Sequence, residues 1–482
     1  MTAQDGPRRG VGGAAVFVQV AAAIAGDIRR GVLRSGDRLP STRVLADQFA
    51  VNRNTIVAAY DELAAQGWVV ARGPRGTFVC DALPEPELRR ALAGPPGIPP
   101  RPGYELRAVP EVRTPFGPDG VRYQLSAGIP DLRLLPGATL ARAYRRAMRL
   151  RGGRAGLGYG DPHGDPRLRA ALAAMVRANR AIPAGADNVL ITHGSQMGLD
   201  LVARLLVRPG QPVAVEQLGY RPAWRVFEEA GAQLVAVALD GQGLVVDDMP
   251  DPAARCVYVT PHHQYPTTVL LSPARRIALL ERAQRDRIAI IEDDYDHEFH
   301  YHGRPVAPLA ASDRGGHVIY LGTLSKILAP GLRLGFVVAS ARTIDQLARL
   351  RAAVDRHGNQ VLESAIAELI EDGELQRHAR KMRRIYEARR DALASAIARE
   401  LGSVLRFELP PGGLTLWARV DDAVKLEAWR ARALGRGVAF ATAREFALDG
   451  RARPYLRLAF GCYDEAELGD AIRRMRRALD DR

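Results

Sequence analysis

Lysine is nearly absent from this chain. Only Lys326, Lys381 and Lys425 occur, against 68 lysines and arginines together. Arginine cannot replace lysine where an amine must attack a carbonyl, because its guanidinium stays protonated. Cysteine is as scarce: Cys80, Cys256 and Cys462 stand far apart and form no CxxC pair. That argues against a disulfide framework or a zinc site, and fits a reducing, cytoplasmic setting. No apolar run is long enough to span a bilayer. Arg8-Arg9 before the uncharged stretch Gly10–Gly26 imitates an export signal. Gln19 interrupts that stretch, and Phe17, Val20, Ile24 and Ile28 share one helical face, so it reads as the first helix of a folded domain. Acidic residues are in deficit, and the net charge of +14 favours a polyanionic partner.

What is present is enough chain for two or three domains: 482 residues, 47% apolar and 25% charged, an ordinary composition for a protein with a large core. Residues 1–13 are Gly-rich and polar and are expected to be disordered. Residues 14–80 read as a compact unit. A helix to about Arg30 is followed by a turn-rich link. Ser41 caps a second helix carrying Arg43, Leu45, Ala46 and Phe49. Asn52 caps a third over 53–66, with Val57, Leu63 and Ala64 expected inward, and Gly67 stops it. Two alternating segments around Gly73-Pro-Arg75 complete a winged helix-turn-helix. Arg53, Asn54 and Thr55 open the third helix as a recognition helix does toward base edges. Ser41, Thr42, Arg43, Arg75 and Gly76 complete the expected DNA-binding set, with Arg43 and Arg75 facing phosphates. The Arg excess here is modest: ten Arg against six Asp and Glu over residues 1–80. Residues 81–120 hold ten prolines and five glycines, the composition of a semi-stiff linker.

Beyond Tyr123 apolar strands alternate with helices. Strands are expected at 189–192, 213–216, 234–237, 256–260, 288–292, 318–321 and 334–338. This predicts an α/β domain over 121–482 with a largely parallel sheet covered on both faces. Residues 341–482 read as its smaller C-terminal part, with long Arg-rich helices, short strands near 404–407, 414–418 and 455–460, and a last helix from Asp464.

In open α/β sheets ligands sit at the carboxyl ends of strands. Lys326 follows one such strand through Gly-Thr-Leu-Ser, and Arg333 lies seven residues on. An amine and a guanidinium on one loop suit an aldehyde that carries a phosphate. Pyridoxal 5'-phosphate is that ligand; a solvent-facing loop lysine is the plain alternative. Gly194, Ser195 and Gln196 open a helix after another strand, where free N–H groups face an anion; a simple helix cap is the alternative. Asp293 ends a third strand, where a carboxylate keeps a pyridine nitrogen protonated. Tyr295 is placed to donate to the ring 3'-oxygen. Metal-ligand spacing is also conceivable among Asp293, Asp294, Asp296, His297 and Glu298, though no metal is assigned. Tyr220 offers a stacking face. Arg457 stands on an apolar strand, either at an exposed edge or buried against a carboxylate.

The segment Leu33–Arg43 with Asn52–Ile56, Ala59-Tyr60 and Gly76–Phe78 resembles the DNA-binding domain of GntR-type bacterial regulators. Tyr159–Pro162, Thr260–Thr267, Glu292–Phe299 and Gly322–Gly335 resemble fold-type I aminotransferases. Together the chain resembles the MocR (PdxR/GabR-like) family of pyridoxal-phosphate-dependent transcriptional regulators. The resemblance implies that Lys326 bonds the cofactor aldehyde, Asp293 pairs with its ring nitrogen, Tyr295 contacts the 3'-oxygen and Tyr220 stacks. Ser195, Gln196 and Arg333, with Thr323 or Ser325, hold the phosphate. Arg457 falls where many aminotransferases bind a substrate carboxylate. It further implies a head-to-tail homodimer on a double-stranded DNA operator, with a small amine or amino acid as a second effector. The chain departs from the family at Thr268, where glycine is usual, at Tyr265, near a usual Asn, and at His193, where a smaller residue is common. Two functions follow: a regulator whose operator affinity responds to pyridoxal phosphate or an amino compound, or a working aminotransferase with an accessory DNA-binding domain.

Overall fold

The computed structural model describes residues 15–83, 101–108, 120–150, 158–251, 254–303 and 306–480. The polar N-terminal segment and most of the 81–120 linker lie outside these residues. The chain divides into two compact units, Met1–Pro110 and Glu111–Arg482, with the division inside the expected linker.

In the first unit α1 spans Val16–Arg29, α2 Thr42–Phe49 and α3 Arg53–Ala65. Strands β1 (Val69–Ala71) and β2 (Thr77–Val79) pair antiparallel, Val69 opposite Val79. The caps are as read: Ser41 Oγ accepts from Val44 N–H at 3.4 Å and Asn52 Oδ1 from Asn54 N–H at 2.8 Å. Each satisfies an orphan donor of a first turn. Val20, Ile24, Ile28, Leu45, Ile56, Leu63, Trp68 and Val79 form the core. One phase assignment was off. Val57 is 39% exposed and Ala64 also faces solvent, whereas Ile56, Ala59, Tyr60 and Leu63 are buried. Those four fall at i, i+3, i+4 and i+7, the spacing of one helical face, and Tyr60 anchors them by donating its hydroxyl to Pro40 O at 2.7 Å.

The second unit opens with β3 (Tyr123–Gln124), then β4 (Val189–Thr192), β5 (Pro212–Glu216) and β6 (Gln233–Val237). A small hairpin, β7 (Leu239–Asp240) and β8 (Gly243–Leu244), precedes β9 (Cys256–Val259), β10 (Ala289–Asp294), β11 (Val318–Thr323) and β12 (Gly335–Val338). Seven strands form one sheet in the order β4-β12-β11-β10-β9-β5-β6. Only β12 runs against its neighbours, so β4, β5, β9, β10 and β11 end along one edge. Val, Ile and Leu fill these strands because helices cover both faces. β4, β9 and β12 are buried throughout.

A second sheet, of four antiparallel strands, has the order β13-β14-β17-β16, with β13 Leu405–Arg406, β14 Thr415–Val420, β16 Ala441–Thr442 and β17 Tyr455–Ala459. β15 (Val438–Ala439) pairs with β3, Val438 beside Tyr123. Helices Glu374–Leu401 and Glu465–Asp480 pack on this sheet around Leu416, Trp429, Leu458 and Phe460. The line drawn at 341 therefore moves. Ile344, Leu347 and Ala348 pack with β4, β5, β9 and β12, and Val361, Ala365 and Ile366 with the helices on the opposite face. Tyr123 and Leu125, far earlier in the chain, belong instead to the smaller core.

Candidate functional site

The edge where β4, β9, β10 and β11 end gathers most of the predicted residues. Lys326 lies three residues past the end of β11, and its Nζ donates to Gly128 O at 2.7 Å. Burial, and then the nearby Arg457 charge, pull its pKa down to about 8, with Asp296 and Asp293 opposing. A lysine near neutrality in pH terms is a far better nucleophile than one at 10.4. Asp293 is 5% exposed. Burial pushes its pKa up to about 6, although Tyr258 donates to Oδ2 at 2.7 Å. Its Oδ1 is buried with no hydrogen-bond partner. An unsatisfied buried carboxylate oxygen is costly, and a protonated ring nitrogen is the kind of donor that would satisfy it.

The phosphate-type residues assemble at the start of helix Gly194–Leu206. Gly194 has φ +76°, and a Cβ there would lie 2.8 Å from Arg333 Nη2, so glycine is needed on both counts. Arg333 donates to His193 O at 3.1 Å. Ser195 stands in the first turn beside these N–H groups. Gln196 is turned partly away, one amide hydrogen going to Pro222 O at 2.8 Å. Thr323 Oγ1 accepts from Ser325 N–H at 3.1 Å and lies 3.0 Å from Ser325 Oγ, which fixes the loop that carries Lys326. Beside this cradle a groove of about 810 Å³ is lined by Leu140, Tyr144, His193, Leu332 and Arg333 among others.

Arg457 is only 3% exposed, so the edge-arginine alternative falls. Its Nη1 donates to Ser126 O at 3.1 Å, its guanidinium stacks 4.4 Å from the Tyr265 ring centroid, and its Nε is buried without a partner. Tyr265 meets Tyr220 edge-on at 5.3 Å and Tyr295 at 6.0 Å. Tyr295 differs from expectation: its hydroxyl proton is committed to His263 O at 2.9 Å, so donation to a ring oxygen requires that bond to exchange. Thr268 takes φ +64°, a left-handed conformation that favours glycine.

The acidic metal alternative is not assembled. Glu298 pairs with Arg180, Asp294 accepts from Tyr320 at 2.7 Å, and Asp296 lies 2.7 Å from His263 Nδ1. Burial would raise Asp294, yet His297, His262 and Arg180 hold its pKa well below the usual carboxylate range.

In the first unit Arg43, Arg53, Asn54 and Arg75 are exposed, as is Ser41, while Thr42 and Thr55 are half-covered. Arg53 Nε donates to Thr42 Oγ1 at 3.3 Å, tying the start of α3 to α2. Gly76 has φ +104°, and Arg38 approaches to 2.9 Å from where its Cβ would be. Sequence reasoning left Arg38 out. Its bridge to Phe78 sets it beside the wing, which only the strand register reveals.

The model of aminotransferase class I and II matches residues 123–475, and that of bacterial regulatory proteins of the gntR family matches residues 17–79. The probable rhizopine catabolism regulatory protein MocR of Rhizobium meliloti is 34% identical over 415 residues, covering 86% of this chain and 83% of that protein. The chain belongs to the MocR-type transcriptional regulators. The HTH-type transcriptional regulator TauR of Rhodobacter capsulatus is 32% identical over 463 residues, 94% of each chain. Among solved structures, the α-aminoadipate aminotransferase LysN of Thermus thermophilus, complexed with N-(5'-phosphopyridoxyl)-L-leucine, is 29% identical with a TM-score of 0.67. The match covers 74% of this chain and 91% of that one. The MocR-type architecture thus joins a GntR helix-turn-helix to an aminotransferase fold. Among the described residues no helix is long and apolar enough to cross a membrane.

Proposed function

We propose that this MocR-type regulator binds pyridoxal 5'-phosphate through Lys326, and that occupancy, alone or with an amino compound, sets its affinity for a double-stranded operator. The observation that carries this is the pairing of a lysine drawn down to about pH 8 with a buried Asp293 oxygen that has no donor. When bound, the cofactor supplies an aldehyde for the amine and an electron-withdrawing ring that stabilises negative charge next to an attached nitrogen.

The chain's own residues then have defined tasks. Lys326 provides the attacking amine. Asp293 Oδ1 accepts the ring N–H and keeps that proton in place. The N–H groups after Gly194, with Ser195, Gln196, Arg333 and the Thr323–Ser325 turn, hold the phosphate. Tyr220 covers a ring face, and Tyr295 reaches the 3'-oxygen when it leaves His263 O. Arg457, with a free buried Nε, receives a carboxylate.

Arg53, Asn54 and Thr55 read base edges, while Ser41, Thr42, Arg43, Arg75 and Gly76 meet the backbone. The protein acts in the cytoplasm as a head-to-tail homodimer, which asks for two half-sites. Effector binding changes DNA affinity only as far as the DNA-competent arrangement binds it differently.

Arg457 favours the second reading, a turning-over aminotransferase, because a sensor of the cofactor alone needs no carboxylate clamp. One experiment separates the two. Binding to the protein's own upstream DNA is measured with and without pyridoxal phosphate and amino acids, and transamination is followed in the same samples. Operator affinity that shifts with the cofactor, without turnover, supports the regulator. Steady turnover with unchanged DNA binding sinks it.

A further inference from the structure

Four of the ten histidines meet behind the site just described. His262 and His263 follow β9; His297 and His300 follow β10. Their rings form one cluster: the His262 ring centroid lies 4.5 Å from that of His263, 4.7 Å from His297 and 6.0 Å from His300, and the His263 centroid lies 6.4 Å from that of His300. His262, His263 and His300 are 2%, 1% and 6% exposed. Both ring nitrogens of His262, the Nε2 of His263 and the Nδ1 of His300 are buried without a hydrogen-bond partner. Polar atoms in that state are costly unless something satisfies them. One ring nitrogen from each of the three lies within 4.8 Å of the other two.

We propose that His262, His263 and His300 bind one divalent transition-metal ion of the zinc class. Imidazole nitrogen suits zinc, nickel, copper and iron, whereas magnesium and calcium take oxygen. Nitrogens bound to one zinc at about 2.0–2.1 Å stand about 3.4 Å apart, so the rings close inward by roughly 1 Å on loading. The surroundings are arranged for this. Asp296 Oδ1 lies 2.7 Å from His263 Nδ1. A carboxylate there fixes the tautomer and leaves Nε2 to the metal. A Cβ at Gly412 would stand 2.5 Å from that Nε2, so only glycine lets the main chain pass this close to the ring without a side chain filling the space beside it. His297 Nδ1 lies 3.0 Å from Asp294 Oδ2, and the nitrogens that come within 4.8 Å of one another are those of His262, His263 and His300, so the protein supplies three ligands and an exogenous ligand would take the fourth position.

The ion joins the loop after β9 to the loop after β10. It also lies against the smaller sheet's entry loop, where Gly413 N–H donates to Phe299 O at 2.7 Å. The same two loops carry Tyr295 and His263 O, and Asp293 stands one residue before the end of β10. The ion therefore clamps one wall of the cofactor site, and this assignment stands whether or not that site takes pyridoxal phosphate.

The test uses the full-length protein, stripped with chelator, then titrated with Zn²⁺ alone by calorimetry and with Co²⁺ alone by visible spectroscopy. One ion per chain is expected, with the d–d bands of a tetrahedral, nitrogen-rich site. His262→Ala and His300→Ala are expected to weaken binding by about 100-fold or more, while His357→Ala, outside the cluster, leaves it unchanged. If a variant fails to fold, X-ray absorption on the cobalt-loaded wild type decides: three imidazoles support the site, and an all-oxygen shell overturns it. Absence of stoichiometric uptake by the wild type, or equal uptake by both folded alanine variants, also overturns it.

Discussion

In the winged-helix unit Arg43, Arg53, Asn54 and Arg75 stand exposed above a core they do not help to build. In the larger unit Asp293 and Arg457 are 5% and 3% exposed, and Lys326 is hydrogen-bonded to main chain. On the proposed reading the first arrangement separates recognition from stability, because exposed side chains can change with little cost to folding. The second couples them: burial shifts the pKa values of Lys326 and Asp293, and the same burial leaves Asp293 Oδ1 unsatisfied. A site of the second kind gains stability when its ligand arrives.

The largest expected effect tests the coupled unit. Lys326→Ala abolishes the visible absorbance of the lysine-bound chromophore after incubation with pyridoxal phosphate. Operator binding measured without the cofactor stays at the wild-type level. A spectrum that survives the substitution would falsify the assignment of the reactive amine. Next comes a core change in the other unit. Leu63 is fully buried, and Leu63→Ala costs about 2–5 kcal/mol, a large share of what holds a small domain together. Calorimetry is expected to show the winged-helix transition lowered and DNA binding lost, with the chromophore intact. Parallel loss of both functions would show that the units are not energetically separate.

The contrast also appears in pH. The Lys326 amine is held down to about 8 by burial and Arg457, below the value of about 10.4 for a free lysine. Its neutral fraction rises about tenfold per pH unit up to pH 8 and then levels. The rate of pyridoxal phosphate capture, followed by stopped-flow absorbance, is expected to rise through that window and flatten above it. The linked stability effect has a definite sign. Between about 8 and 10.4 the unfolded chain binds more protons than the cofactor-free folded one, so stability rises with pH there and the penalty is greatest below 8. A capture rate still climbing at pH 10 would mean that the amine is solvated.

Much of this was legible beforehand because the signals were local. Ser41 and Asn52 announce helix starts, apolar runs announce buried strands, and the scarcity of lysine draws attention to Lys326, whose place past the end of β11 the fold then gives. The errors were of phase and of distance. In α3 Val57 looked apolar enough to be inside, but the stripe through Ile56, Ala59 and Leu63 left it outside. The boundary at 341 failed because helix membership in a core is decided by partners remote in the chain, as with Tyr123 beside Val438. His262-His263 and His300 carried no weight separately, and His297 was weighed only with its acidic neighbours. The parallel pairing of β9 and β10, Val257 beside Ile290, brings their exit loops together, and no spacing rule spans that interval.

The smallest effects sharpen the view of the exposed unit. Arg53 opens α3 and Arg75 lies between β1 and β2; on the proposed reading the first meets bases and the second phosphate, so their loss is expected to differ in kind. Arg53→Ala removes a base-edge contact, for a loss of about 5- to 150-fold on the operator, corresponding to about 1–3 kcal/mol. Non-specific DNA should feel it much less, and the chromophore not at all. Its hydrogen bond to Thr42 is solvent-exposed, so melting temperature should barely move. Arg75→Ala removes a phosphate contact instead. It should weaken operator and random duplex alike and reduce the salt-dependence slope by about 1. Fluorescence anisotropy across a salt series distinguishes the two. If Arg75→Ala proves sequence-selective while Arg53→Ala acts uniformly, the wing rather than α3 reads the bases, and the division of labour within the unit reverses.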